Sequence, residues 1–269
     1  MKKYRDGRFG VTRKGAALCG VPGLDQMILH HGAFYRDLSD PIAFLRGETE
    51  TELASFWPYV FGARGAVDPS VTATYSDLMA DSQALVARDT LRAVSLNGVQ
   101  HLMDVGGGSG AFLMEVANIY PDLALTVFDL PAVLPSTQKR IARAGMAKRI
   151  DQSGGSFKTD PLPVGADAIS LIRVLYDHDD DSVVALLEKV FATLPSGGQV
   201  IISEPMSGGK RPDPITDVYF AFYTLAMRTG RVRSAQSISK FCQYAGFVDI
   251  CAPKPFRSYV TSVVSARKP

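Results

Sequence analysis

The chain has 269 residues, 46% of them hydrophobic, with 29 Lys and Arg against 27 Asp and Glu and a formal charge of +2. That is enough apolar matter for one large α/β domain and a smaller appendage, and it excludes a disordered polymer. The two signs of charge are interspersed, so no nucleic-acid partner is expected. Cys19, Cys242 and Cys251 lack C-x-x-C spacing, which argues against a disulfide framework or a zinc site and fits a cytoplasmic location. No apolar run reaches the ~18 residues needed to cross a bilayer, and Met1-Lys2-Lys3-Tyr4 does not begin a signal peptide.

In chain order, Tyr4 to Val11 predicts a β-hairpin turning at Asp6-Gly7. Two strands do not stand alone, so the expectation is that the chain begins inside a small domain whose upstream part lies elsewhere. From Pro22 to about Ser95 the spacing is helical. Leu24, Met27, Ile28, His31, Phe34 and Tyr35 recur at intervals of three and four, as do Leu53, Phe56, Trp57, Val60 and Phe61. These aromatic helices can be core, a lid over a ligand, or a dimer contact. His30 and His31 read as packing or surface residues, because no acid or further histidine stands at metal-ligand spacing beside them; no metal site is expected. A linker near Asn97-Gly98 divides a helical region, 1–95, from a second domain, 96–269.

The stretch Gln100 to Ala111 organises that second domain. Its apolar residues lead to Asp104 as a buried strand, break into Gly106-Gly107-Gly108-Ser109-Gly110, and continue in helical spacing from Phe112. A Cβ at Gly106, Gly108 or Gly110 would hold a ligand off the backbone or clash in a positive-φ turn. The turn is a nucleotide cradle. Gly106-x-Gly108-x-x-Ala111 also fits the loose dinucleotide fingerprint, which would make the chain an oxidoreductase. Asp104 tilts the choice, since a carboxylate there repels a pyrophosphate and favours S-adenosylmethionine, which carries an ammonium and a sulfonium.

Leu125 to Phe128 predicts a second strand ending at Asp129, where a carboxylate can take both ribose hydroxyls or cap the helix that begins near Pro131. That helix runs from Ala132 to about Ala144, and Arg149 to Ser153 is a third strand. Gly154-Gly155-Ser156-Phe157 follows, either a plain turn or exposed amides and an aromatic face for adenine.

Ala166 to Leu175 is an apolar strand buried on both faces. It ends in Tyr176-Asp177-His178-Asp179-Asp180-Asp181, which has three readings. Asp180 and Asp181 can cap the helix Ser182 to Thr193, the oxygens can hold magnesium, or Tyr176 and His178 can stand at a ligand mouth.

Beyond Gly197-Gly198, the strand Gln199 to Ser203 ends at Glu204-Pro205-Met206. The helix Ile215 to Met227 carries Tyr219, Phe220, Phe222, Tyr223 and Met227, more aromatic and sulfur surface than one packed face needs, and is read as core or an apolar substrate wall. A helix from Arg233 to Ala245 and strands Phe247 to Cys251 and Tyr259 to Ser265 complete an α/β sheet.

In this order, Leu102 to Gly110, Phe128-Asp129-Leu130-Pro131, Gly154 to Phe157, Arg173 to Asp180 and Ile202 to Pro205 resemble the class I S-adenosylmethionine-dependent O-methyltransferases of the caffeate and acetylserotonin type, from about Ala63 onward. The segments Arg173 to Asp180 and Tyr219 to Met227 are similar to the bacterial branch that acts on carotenoid hydroxyls. The resemblance implies a Rossmann-like seven-stranded methyltransferase sheet and an N-terminal remnant of a winged-helix dimerisation domain, hence a homodimer.

It also implies that Asp104, Gly106, Gly108, Gly110, Asp129, Leu130, Gly154, Gly155, Ser156, Phe157 and Arg173 serve the cofactor S-adenosylmethionine, although Gly155 stands where the family has an acid. Met206, Phe220, Tyr223 and Met227 would line the pocket of a small apolar acceptor, with peripheral membrane contact for a lipophilic one. The family's general-base histidine falls at Tyr176 and its tryptophan at His178. The expected base is therefore His178, with an ordinary imidazole pKa of ~6.5, Tyr176 orienting the hydroxyl or relaying its proton, and Asp177 or Glu204 fixing the imidazole. A phenolic acceptor, or a chain that binds the cofactor without turnover, are the alternatives.

Overall fold

The computed structural model describes residues 1–21, 24–55, 83–228 and 230–269. Pro22 and the aromatic run Phe56, Trp57, Val60 and Phe61 lie outside the described residues.

The expected hairpin is present but minimal, with β1 (Lys2–Lys3) antiparallel to β2 (Phe9–Gly10) and Gly7 at φ +82° in the turn. Helices α1 (Arg13–Cys19), α2 (Leu24–Asp37), α3 (Pro41–Leu45) and α4 (Glu52–Ser55) follow. A further helix, α5, covers residues 83–93. The buried Asp37 carboxylate accepts from the Glu52 and Leu53 amides at 2.7 and 3.0 Å, so the end of α2 caps the start of α4.

The rest builds a seven-stranded sheet of β3 (His101–Val105), β4 (Ala124–Asp129), β5 (Ile150–Gly154), β6 (Ala168–Ile172), β7 (Gln199–Glu204), β8 (Val248–Cys251) and β9 (Ser262–Arg267). The strand order is β5-β4-β3-β6-β7-β9-β8, parallel except for β9. Crossover helices α6 (Ala111–Ile119), α7 (Leu134–Arg143), α8 (Asp180–Thr193) and α10 (Ala235–Tyr244) cover both faces. Alternation sorts β3 between the two faces. Met103 and Val105 pack with Leu171, Val183, Leu187 and Ile202, while Leu102 packs with Phe112, Leu113, Leu125 and, from α5, Val86 and Ala87.

The chain reverses its winding between β3 and β6, and the carboxyl ends of strands at such a switch point are where open α/β sheets bind their ligands. Two local outcomes differ from the sequence expectation. The strand expected to reach Leu175 stops at Ile172 and gives way to a 3₁₀ turn over Leu175–Asp177. The helix expected from Ile215 to Met227 starts as a π-helix over Ile215–Phe220 and becomes α only in α9 (Ala221–Met227). Such widened turns gather at functional sites.

Candidate active site

The glycine turn is built as the spacing predicts. Gly106, Gly108 and Gly110 have φ of +70°, +53° and +73°, which L side chains rarely adopt. A Cβ on Gly106 would meet Val174 Cγ2 at 2.9 Å, and one on Gly107 would meet Asp104 Oδ2 at 2.8 Å. Asp104 therefore lies directly beneath the turn, 1% exposed, accepting from Ser170 Oγ at 2.6 Å. Burial, and secondarily Asp129, raise its pKa to about 7 despite the Ser170 bond. This corrects the sequence picture of a fully ionised carboxylate lining the cradle. The charge is made or lost near neutrality, below the floor.

Asp129 ends β4 facing the same turn. Its Oδ2 accepts from the Gly108 amide and its Oδ1 from the Leu130 amide, both at 2.7 Å. Each oxygen keeps a second lone-pair direction, so the pair can still take two hydroxyls.

Gly154-Gly155-Ser156-Phe157 needs a correction. The amides expected to be exposed are engaged, Gly155 donating to Asp129 O at 3.0 Å and Ser156 to Asp160 Oδ2 at 2.8 Å. A Cβ on Gly155 would sit 2.8 Å from the Phe128 ring, which explains why no acid stands there. What remains for a ligand is the half-buried ring of Phe157, with the His178 ring edge-on at 5.2 Å. Lys189 Nζ holds this loop by donating to the carbonyls of Phe157 and Asp160 at 2.5 and 2.7 Å.

That placement also bears on His178 as a base. Burial first, then Lys158 and Arg233 against the opposing Asp179, lowers its pKa to about 4. The imidazole is neutral, but it takes a proton from a weakly acidic hydroxyl less readily than an ordinary histidine. Asp179, rather than Asp180 or Asp181, caps α8, accepting from the Ser182 amide at 2.8 Å.

At the end of β6 stands Arg173, with a positive φ of +59°. Strain of this kind is held only where surrounding contacts over-determine it, and it concentrates at functional sites. The Arg173 guanidinium lies 3.4 Å from the Tyr176 hydroxyl. Tyr176, Asp177 and Glu204 are all buried beside it. Glu204 Oε2 accepts from the Tyr176 amide at 3.1 Å, while Glu204 Oε1 and Asp177 Oδ1 have no hydrogen-bond partner among the described residues. Burial raises all three pKa values, that of Glu204 to about 7 and that of Asp177 well above the carboxylate range. Burial without compensating partners disfavours the charged form of each of these acids.

Two residues that shape this loop escaped the sequence reading. Arg233 is 3% exposed, and donates to Asp180 Oδ1 at 2.7 Å, Leu175 O at 2.9 Å and His178 O at 2.7 Å. Gly230, at φ +52°, presses against the same turn, since a Cβ there would lie 2.0 Å from Tyr176 O. A lone arginine just before a Ser N-cap was the only available signal, and it names no partner.

Of the four residues expected to line an acceptor pocket, Met206 belongs to the core of one sheet face. Tyr223 and Met227 are buried with Phe34, Phe44 and Leu53 of α2, α3 and α4. Only Phe220 is half-exposed. The correction has a simple cause: α2 and α4 occupy the face of α9 that the sequence left open, and Thr51 Oγ1 adds a 2.6 Å bond to Ala226 O. His30 and His31, expected as packing or surface residues, are half-buried and packed against Tyr223 and Tyr219. Their Nε2 atoms meet the hydroxyls of Tyr223 and Tyr219 at 2.8 and 2.7 Å.

A glycine turn over one carboxylate and beside another, at the switch point of this strand order, is the frame of methyltransferases that use S-adenosylmethionine. The O-methyltransferase domain model matches residues 35–248, and the chain belongs to that family. It is 56% identical over 269 residues to demethylspheroidene O-methyltransferase of Cereibacter sphaeroides, covering all of this chain and 71% of that protein. It is 51% identical over 266 residues to the enzyme of the same name from Rhodobacter capsulatus, covering 99% of this chain and 66% of that one. Human N-acetylserotonin methyltransferase, solved in complex with SAM, superposes with a TM-score of 0.76 at 25% identity, over 92% of this chain and 70% of its own. Membership of the family overturns the oxidoreductase reading.

Proposed function

We propose that the chain transfers a methyl group from S-adenosylmethionine to the hydroxyl of an acyclic hydroxycarotenoid of the demethylspheroidene kind. The observation that carries the acceptor class is the 56% identity, along the whole of this chain, to an enzyme named for that substrate. The half-exposed rings of Tyr219 and Phe220, in edge-to-face contact at 4.8 Å, suit a long apolar molecule better than a polar one. No helix among the described residues is long and apolar enough to cross a membrane.

The residues fit the methyl donor. Gly106 and Gly108 clear the space that a Cβ would fill, Asp129 offers its remaining lone pairs to the ribose, and Phe157, with His178 packed edge-on against it, offers an aromatic face to adenine. The donor supplies an electrophilic methyl. The protein's part is alignment and exclusion of water. In this reading Arg173, Tyr176, Asp177 and Glu204 form the inner end of the site. His178, expected from the sequence to be the base, is reassigned to the adenine face.

Turnover of labelled S-adenosylmethionine with demethylspheroidene is the direct test. A product heavier by one methylene is expected, and labelling of a phenol but not of the carotenoid would sink the acceptor assignment. Asp129→Ala should weaken donor binding by calorimetry about tenfold to a hundredfold, as befits lost hydrogen bonds to a charged group. Unchanged affinity would remove Asp129 from the site.

Donor binding should also depend on pH. A cation above Asp104 favours its ionised form, so binding lowers a pKa that starts at about 7 and releases a proton below that pH. Affinity is expected to rise with pH up to about 7 and then flatten. Calorimetry in buffers of different ionisation enthalpy counts the proton, and a pH-independent affinity would contradict the coupling.

A further inference from the structure

We propose that Tyr219 and His31 form a proton relay at the acceptor end of the site, with Tyr219 as the group that touches the acceptor hydroxyl and His31 as the sink behind it. The inference rests on the methyl-transfer reading above and adds to it the group that removes the proton.

The geometry fixes the direction of the hydrogen bonds. His31 Nδ1 is 2.6 Å from Met27 O, one turn back along α2. A carbonyl only accepts, so Nδ1 carries the hydrogen, and Nε2 of the neutral ring is left with a lone pair. Tyr219 Oη, 2.7 Å from Nε2, must therefore donate to it. The phenol is thus turned with its hydrogen toward the histidine and its own lone pairs outward. The rings stack with centroids 5.5 Å apart, which holds the pair in register. This is the base-and-orienter pattern of activated hydroxyls, assembled across 188 residues of chain.

Its position suits the reaction. Tyr219 lies in the π-helical turn, half-buried; burial raises its pKa to about 12, and Arg173 acts against that rise. Arg173 is also the neighbour of the Tyr176 hydroxyl at the end of β6. A guanidinium there favours negative charge on the phenol oxygen as a proton passes through it. The neighbouring pair, His30 and Tyr223, has the same bond but sits in the packed core, with Tyr223 6% exposed, and serves as its structural counterpart.

The step balances. The acceptor's O–H bond breaks and its proton goes to Tyr219 Oη, while the Tyr219 proton goes to His31 Nε2. The new O–CH3 bond forms as the S–CH3 bond breaks, leaving that electron pair on sulfur. One positive charge leaves the sulfonium and one appears on the imidazolium, whose half-buried ring returns the proton to solvent.

The test uses His31→Gln, which can still accept a hydrogen bond from Tyr219 but cannot take a proton, beside Tyr219→Phe, the double variant, and His30→Gln as a packing control. Turnover of demethylspheroidene should fall about a hundredfold in His31→Gln, with donor affinity unchanged, and the double variant should be no worse than the single ones. Independently of any donor, imidazole ¹⁵N shifts of the whole chain at mildly alkaline pH should show His31 as the Nδ1–H tautomer, with its Nε2 signal moving in Tyr219→Phe. Turnover in His31→Gln within about threefold of the parent, or an Nε2–H tautomer, overturns the relay. Failure of the parent to take up S-adenosylmethionine overturns the methyl-transfer reading and the relay with it, so the two failures are told apart by calorimetry on the unmutated chain.

Discussion

Gly230→Ala is expected to lower turnover about a hundredfold and to destabilise the fold by about 2–4 kcal/mol, the range of severe overpacking. The added methyl would lie 2.0 Å from Tyr176 O and 2.5 Å from both Asp177 C and His178 N. These are backbone atoms, so no side chain can swing away to make room. The turn cannot retreat either, because Arg233 holds the carbonyls of Leu175 and His178. Whichever segment yields, Tyr176 and Asp177 shift relative to Arg173 and Glu204, and misplacement on the order of 1 Å is enough to cost about a hundredfold in rate. Gly145→Ala is the control. It too has a positive φ, +72°, but nothing lies within 4 Å of the new methyl, so it should lose only the ~1–2 kcal/mol of the left-handed conformation. Urea denaturation of the two variants side by side decides the matter, and equal losses would mean that the close approach is not felt.

Arg233→Ala should cost about 1–3 kcal/mol, the penalty for taking a buried donor away from the acceptors it satisfies. The guanidinium is almost fully buried and serves one carboxylate and two carbonyls; without it His178 O loses a 2.7 Å bond, while Leu175 O keeps the His178 amide at 3.1 Å and Asp180 keeps Arg231. Arg231 reaches the same Asp180 from the outside, with 65% of its side chain exposed. Arg231→Ala is therefore expected to lose less than about 1 kcal/mol. Arg233→Lys should fall between, since an ammonium cannot span the three acceptors with the fork of a guanidinium. Thermal unfolding followed by circular dichroism orders the three. A loss in Arg233→Ala no larger than in Arg231→Ala would show that the turn holds itself.

These two positions mark where reading the chain as a string stops. The glycine turn was legible because its conformation is local: Gly106, Gly108 and Gly110 have positive φ for reasons contained within a few residues of each. Strands β3, β4 and β7 were legible because apolar runs of that length, bounded by turn residues, have few other places to go. The helix from Ile215 to Met227 was found, but its π turn was not, since a widened turn leaves no mark in a pattern of apolar spacing. His31 was partly legible. It falls in the same helical row as Met27 and Phe34, a place for a buried side chain, yet the tyrosine that gives it a role is 188 residues away.

The sequence by itself determined the order of strands and helices, the glycine turn after β3 and the acid that ends β4, because backbone propensity and short-range sterics act between neighbours. The tertiary structure alone decided that Asp104 lies under the floor with a pKa of about 7, that the Gly155 and Ser156 amides are spent, and that Met206 and Met227 are core. It also brought His31 to Tyr219 and Arg233 to the turn after β6. Burial and long-range partners set protonation and availability, and both depend on which distant segments the fold lays against a residue, something no window along the chain contains.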